Sequence, residues 1–269
     1  MKRKNSVIGV LAFLLLFAIL LVVALKRDGE VSQNTGDSTI AEQIACLKFL
    51  KKSMPMYEDY IARKNPNNIT MVEFQYTRSL PGGSFMLLKA LPNLEELNCH
   101  YGGVDDSFSD CLPHLPKLKR LILFGTDVTG KSIQNISTLS NLEYLRIARK
   151  LPKADFPDEY ISDHSLEQLA EGCPNLEHLY IGSPCNITDE GLWQIAKLKK
   201  LKELYIVSDH ISPNGVDYLR TLSHIEDIGL YSGTSGDGGP THVIVTGTQR
   251  LSYKPPKGTV YPPVKEATP

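Results

Sequence analysis

Cys173-Pro-Asn-Leu-Glu-His-Leu-Tyr-Ile-Gly-Ser-Pro-Cys-Asn-Ile-Thr-Asp-Glu-Gly-Leu192 decides how this chain is read. Within it Leu176, Leu179 and Ile181 hold the first, fourth and sixth places of the phrase L-x-x-L-x-L, the pattern of a short strand with one side turned inward. The phrase, or a conservative version of it, starts at Ile69, Leu94, Leu118, Leu142, Leu176, Leu201 and Ile225, in steps of 25, 24, 24, 34, 25 and 24 residues. Further along each unit stands a second apolar anchor (Val104, Val128, Ile187, Ile211), then helical spacing such as Leu192, Ile195, Ala196 and Leu198. Parallel strands need a crossover, and a helix folded back behind each strand supplies it. A fixed period of this length means stacked units, none of which buries its apolar face alone.

With its two cysteines and its Ile187-Thr-Asp-Glu-Gly-Leu192 turn, the quoted stretch resembles the cysteine-containing subclass of leucine-rich repeats known from ribonuclease-inhibitor-like folds. Ile211-Ser-Pro-Asn-Gly-Val216 looks like a weaker copy of that turn. The resemblance covers residues 67–231 and implies an α/β leucine-rich-repeat solenoid with a parallel concave sheet and convex helices. Such repeats behind one N-terminal membrane segment are similar to bacterial membrane-anchored leucine-rich-repeat proteins of unassigned activity. The resemblance also implies that Cys173 and Cys185 are buried free thiols. A Cys173–Cys185 disulfide is the alternative, although five cysteines cannot all pair within one chain. Cys99, at the sixth place of its phrase, is expected to point inward.

Val7 to Leu25 is a run of 19 apolar residues without a charge, enough to cross a hydrocarbon core of about 30 Å as a helix. Lys2, Arg3 and Lys4 precede it and Lys26 and Arg27 follow, a basic excess that keeps the N-terminus in the cytoplasm and puts the repeats outside. Residues 1–27 are therefore expected to be a cytoplasmic stub and transmembrane anchor of a single-pass protein of the cell membrane. Secretion after signal cleavage is the alternative, since Val22-Val23-Ala24 loosely fits a cleavage site. Residues 28–38 read as a polar linker. Residues 39–66 read as an N-terminal helical cap, opened by the capping box Thr39-Ile-Ala-Glu42 and showing Ile44, Leu47 and Leu50 on one face. The seven repeats fill 67–231, a C-terminal loop and capping strand 232–253, and a Pro-rich disordered tail 254–269. The strand-like Thr241 to Thr248 could cover the last strand edge.

Without residues 1–27 the chain holds 24 Lys and Arg against 30 Asp and Glu, which argues against a nucleic-acid surface. The seven histidines show no metal-ligand spacing. Gly233-Thr-Ser-Gly-Asp-Gly-Gly239 lacks both the phosphate-loop and the serine-nucleophile patterns, so it reads as a turn. No enzyme, metal or small-molecule cofactor is expected. Asn68-Ile-Thr, Asn135-Ile-Ser and Asn186-Ile-Thr fit the glycosylation acceptor pattern but read as turn and strand residues in a bacterial host.

The second, third and fifth places of each phrase face away from the core, so equal places in successive repeats form columns across the sheet. The second column reads Thr70, Glu95, Lys119, Glu143, Glu177, Lys202 and Glu226, whose charges mostly alternate and can pair laterally. The third and fifth columns gather Tyr144, Arg146, His178, Tyr180 and Tyr205, the residue types that dominate binding hot spots. The 34-residue step adds an insertion, Ala148 to Tyr160, whose Phe156 and Tyr160 are expected to close one side of this patch. Two functions fit. One is a non-catalytic, membrane-tethered recognition module binding a protein, peptide or envelope polymer on its concave face; the other is a structural or assembly component of the cell envelope.

Overall fold

The structure, a computed structural model, describes residues 40–53, 65–75, 83–149, 160–182, 185–231 and 243–246. The apolar run Val7 to Leu25, the linker, Phe156 and the Pro-rich tail lie outside them. Among the described residues no helix is long and apolar enough to cross a membrane.

Each L-x-x-L-x-L phrase becomes a strand: β1 Met71–Gln75, β2 Glu96–His100, β3 Arg120–Thr126, β4 Tyr144–Arg149, β5 His178–Ile181, β6 Glu203–Val207 and β7 Asp227–Tyr231. They pair in chain order and in parallel, and β8 Val243–Thr246 runs antiparallel along β7. The register matches repeat to repeat, so Leu97, Leu121, Leu145, Leu179, Leu204 and Ile228 stand in one row. Strand alternation turns the fourth and sixth places inward, where Val72, Leu97, Leu121 and Leu179 join Phe74, Cys99, Leu123 and Ile181 in one continuous buried core. A side chain buried there contributes about 1.5–3 kcal/mol of transfer free energy before chain entropy is subtracted.

Behind the sheet the expected helices are only partly α-helical. Ser84–Ala90 and Asp106–His114 are 3-10 segments, and Gly130–Ser132 is a 3-10 turn leading into α2 Ile133–Ile136. The later repeats carry α3 Asp163–Gly172, α4 Asp189–Ile195 and α5 Pro213–Tyr218. Pro113 lies inside the second segment and lacks the amide an α-helix needs, and Gly83 opens the first with no side-chain cap. Ahead of β1, α1 Ile40–Ser53 buries Cys46 and Leu50 and packs the Phe49 ring tilted against Phe74 and edge-on to Phe85, with ring centroids 5.7 and 6.2 Å apart. It covers the first repeat.

Two polar ladders tie neighbouring repeats together. In the first, the residue after a helix N-cap accepts hydrogen bonds from the next N-cap. Asp163 takes the Thr188 amide and hydroxyl at 2.8 and 2.7 Å, Asp106 takes those of Thr129 at 2.8 and 2.6 Å, and Asp189 accepts from both groups of Ser212. The glycine of the Asp-x-Gly turn follows from this: a Cβ on Gly191 would stand 2.4 Å from Asp163 Oδ1, and one on Gly215 2.2 Å from Asp189 Oδ1. The ladder pauses at Gly130, which has no carboxylate to offer, one repeat before the insertion. In the second ladder the residue before each phrase reaches back. Asn93, Asn141 and Asn175 amides donate at 2.8 Å to the Asn67, Pro116 and Ser140 carbonyls, and Lys117 and Lys200 donate at 2.6 Å to the Asn93 and Asn175 side chains.

All five cysteines are free and buried, as expected for Cys99, Cys173 and Cys185. Cys185 Sγ donates to the Val207 carbonyl at 3.1 Å and Cys173 Sγ to that of Ile136 at 3.6 Å. Burial pushes both thiols up to about 12. Such thiols are inert in either redox compartment.

Candidate functional site

The parallel register places five of the predicted residues on three adjacent strands. Tyr144 and Arg146 lie on β4, His178 and Tyr180 on β5, and Tyr205 on β6, with Tyr144 opposite His178, and Arg146 opposite Tyr180 opposite Tyr205. The rings form a connected array. Tyr144 lies 5.6 Å from His178 and 5.3 Å from Tyr180, and Tyr180 stacks on Tyr205 at 4.8 Å with the rings 8° from parallel. Tyr231 continues the stack at 6.3 Å and 13°. Gly229 makes this possible, because a Cβ there would fall 2.5 Å from the Tyr205 ring and 2.7 Å from that of Tyr231.

Arg146 departs from the expected grouping. Its guanidinium sits 4.8 Å over the Phe124 ring on β3, while Arg120 is the cation that covers Tyr144, 3.6 Å from its centroid. Phe124 in turn meets Tyr101 edge-on at 5.1 Å, and Tyr101 packs over Gly125, which adopts φ +68°. Tyr160 stands one residue before buried Ile161, in the segment that enters α3 rather than on a strand. Phe156, the other insertion residue, lies outside the described residues.

The chemistry of the patch is set by carboxylates that were not singled out in the sequence. The Tyr180 hydroxyl donates to Glu203 and the Tyr205 hydroxyl to Asp227, one strand further on in each case. Burial, reinforced by the Glu203 carboxylate, raises the Tyr180 phenol above its ordinary value. For Tyr205 the hydrogen bond to Asp227 acts first and burial second, in the same direction. The Tyr180 hydroxyl holds the Glu203 carboxyl below the usual carboxylate range. His178 Nδ1 stands 3.3 Å from Glu203 Oε2. Beside the patch the second column pairs laterally where Lys meets Glu, with Lys119 3.1 Å from Glu95 and Lys202 2.5 Å from Glu177. Lys202 holds the Glu177 carboxyl down.

Glu203 and Asp227 were legible in principle, since they occupy the third place of their own phrases. Phe124 and Tyr231 stand one pleat beyond the sixth place, where the columns drawn from the phrase stop. Of the acceptor-pattern asparagines, Asn135 spends its amide on Ser109 Oγ at 3.1 Å, the behaviour of a structural residue.

The repeat geometry and comparison with known proteins agree on the class. Residues 85–209 match the model of Zer-1-like leucine-rich repeats. Residues 85–209 are leucine-rich repeats. Among solved structures it is similar to an internalin from Listeria monocytogenes, at 15% identity over 74% of this chain and 68% of that one, with a TM-score of 0.37. No curated protein matches the sequence.

Proposed function

We propose that this protein is a non-catalytic, membrane-tethered recognition module that binds a protein, peptide or envelope polymer on the open, concave side of its sheet. The observation that carries this reading is the stack of Tyr180, Tyr205 and Tyr231, which puts aromatic surface on a face the core does not need. Large aromatic side chains present contact area at low entropy cost and are over-represented among residues that dominate binding. The repeat class supports protein binding, and the charge-free run Val7 to Leu25 supports the tether.

The test is capture from a solubilised membrane fraction by the full chain and by Tyr180→Ala, with folding of both checked by circular dichroism. The parent should retain a ligand that the folded variant loses, by tenfold or more in affinity, as for a hot-spot aromatic worth about 2 kcal/mol. Equal retention by parent and folded variant would remove the concave face from the function.

A further inference from the structure

We infer that the face over β5, β6 and β7 takes a cationic, extended peptide segment of a protein partner, its Lys or Arg side chains lying along the tyrosine stack and ending at Glu203 and Asp227. The inference rests on the concave-face reading above and adds the chemistry of the partner.

Charge carries the argument. In the repeats of these three strands the outward acidic and basic side chains at the second, third and fifth places are Glu177, Lys202, Glu203, Glu226 and Asp227, with His178 beside them. The one lysine is committed to Glu177 at 2.5 Å. What remains is carboxylate, with a histidine beside Glu203. An anionic partner finds no uncommitted cation among these groups. It finds no free phenol proton either, because the Tyr180 and Tyr205 hydroxyls already donate to Glu203 and Asp227.

A cation fits on two counts. Aromatic rings attract Lys and Arg through their π faces. A carboxylate has about four acceptor sites, so one phenol donor leaves Glu203 and Asp227 able to accept more. The fold demonstrates the preference within itself: Arg120 lies 3.6 Å over Tyr144 and also 3.4 Å from Glu96 Oε1, the same pairing of ring and acid under one cation. On β5 to β7 the ring and the acid are present and such a cation is missing among the described residues.

The tyrosine and carboxylate unit occurs twice, as Tyr180 with Glu203 and Tyr205 with Asp227, one strand apart. Two units side by side suit two cationic side chains of one extended segment better than a single small amine.

Fluorescence anisotropy with the full-length chain in a non-ionic detergent decides the matter, using labelled (Lys-Ser)4 with (Glu-Ser)4 and (Ser)8 as controls. Only the lysine peptide should bind, and binding should weaken as salt screens the charges. The double variant Glu203→Gln with Asp227→Asn, which keeps acceptors for both phenols, should lose tenfold or more in affinity, and Tyr205→Ala a similar amount. Neutralising Glu171 and Glu190, exposed on α3 and α4, should change nothing.

Preference for the glutamate peptide, abolished by Tyr205→Ala, would overturn the charge assignment and leave the concave-face reading standing. Lysine-peptide binding that ignores Tyr205→Ala and follows Glu171 and Glu190 would overturn both. Binding that emerges only after Arg250, Lys254 and Lys257 are changed to Ser would show the chain's own tail as the occupant and overturn the external partner.

Discussion

Tyr180 and Tyr205 give up their protons late: at Tyr180 burial leads and the Glu203 carboxylate adds to it, and at Tyr205 the hydrogen bond to Asp227 leads and burial adds to it. An ultraviolet titration should therefore show a tyrosine fraction that resists ionisation well beyond the ordinary phenol range of about pH 10. Glu203→Gln removes the negative partner of Tyr180, so the resisting fraction should shrink; an unchanged curve would break the assigned hydrogen bond. The carboxylate side has the opposite sign. Glu203 titrates lower in the folded chain than its unfolded value of about 4.3, so its contribution to stability is complete above that value and fades as pH falls through the folded one. The gap in urea midpoint between the parent and Glu203→Gln should accordingly close as pH drops from about 5 toward 3. A gap that stays constant across this range would mean the two states bind the proton equally. At Gly191 the constraint is steric. Gly191→Ala sets a methyl group 2.4 Å from Asp163 Oδ1 and 2.9 Å from Leu166 Cδ1, both part of the packed repeat junction. The expected loss is about 1–3 kcal/mol in urea denaturation, the usual range for overpacking.

Strands and helices respond according to which column a residue occupies. Leu179 is fully buried in the fourth column, so Leu179→Ala should cost about 2–5 kcal/mol, and Leu179→Asp should unfold the repeats by placing a charge in the core. Glu177→Lys, two residues earlier and facing solvent, should leave thermal unfolding close to that of the parent. Similar damage from Leu179→Asp and Glu177→Lys would reverse the assignment of inward and outward columns. The junctions between elements depend on the aspartate ladder. Asp163→Ala strips the Thr188 amide and hydroxyl of their acceptor, a loss of about 1–3 kcal/mol that chemical denaturation would read directly. At this scale the strands were fully legible, because period-two alternation over a fixed repeat leaves one register that buries every apolar column. The convex layer was not. Repeats of the same 24-residue step wind as 3-10 behind β2 and as α behind β6, so the choice lies with local features such as Gly83 and Pro113 and not with the period.

At the scale of the whole chain, residues 28–269 are proposed to lie outside the cell. Protease added to intact cells should digest the repeats and leave the first 27 residues with the membrane. Protection until lysis would reverse the topology, and a mature chain starting near Leu25 would show a cleaved signal peptide. The insertion offers a second test at this scale. Deleting Lys150 to Asp158 falls where the aspartate ladder is already open at Gly130, so the thermal midpoint should stay close to that of the parent. A large fall would make the insertion part of the repeat core.

What the sequence determined by itself was the solenoid: period, strand positions, inward columns and cap are local patterns that survive without knowledge of the third dimension. It also placed Tyr144, His178, Tyr180 and Tyr205 on one face, because equal places in a register become neighbours. Only the tertiary structure decided what those residues do there. Two side chains in facing columns can meet or part according to rotamers chosen by the neighbours, and so Arg146 turned to Phe124 while Arg120 covered Tyr144. The same choice sent each phenol to the acid on the next strand, a contact across 22 or 23 residues of chain that no single phrase encodes.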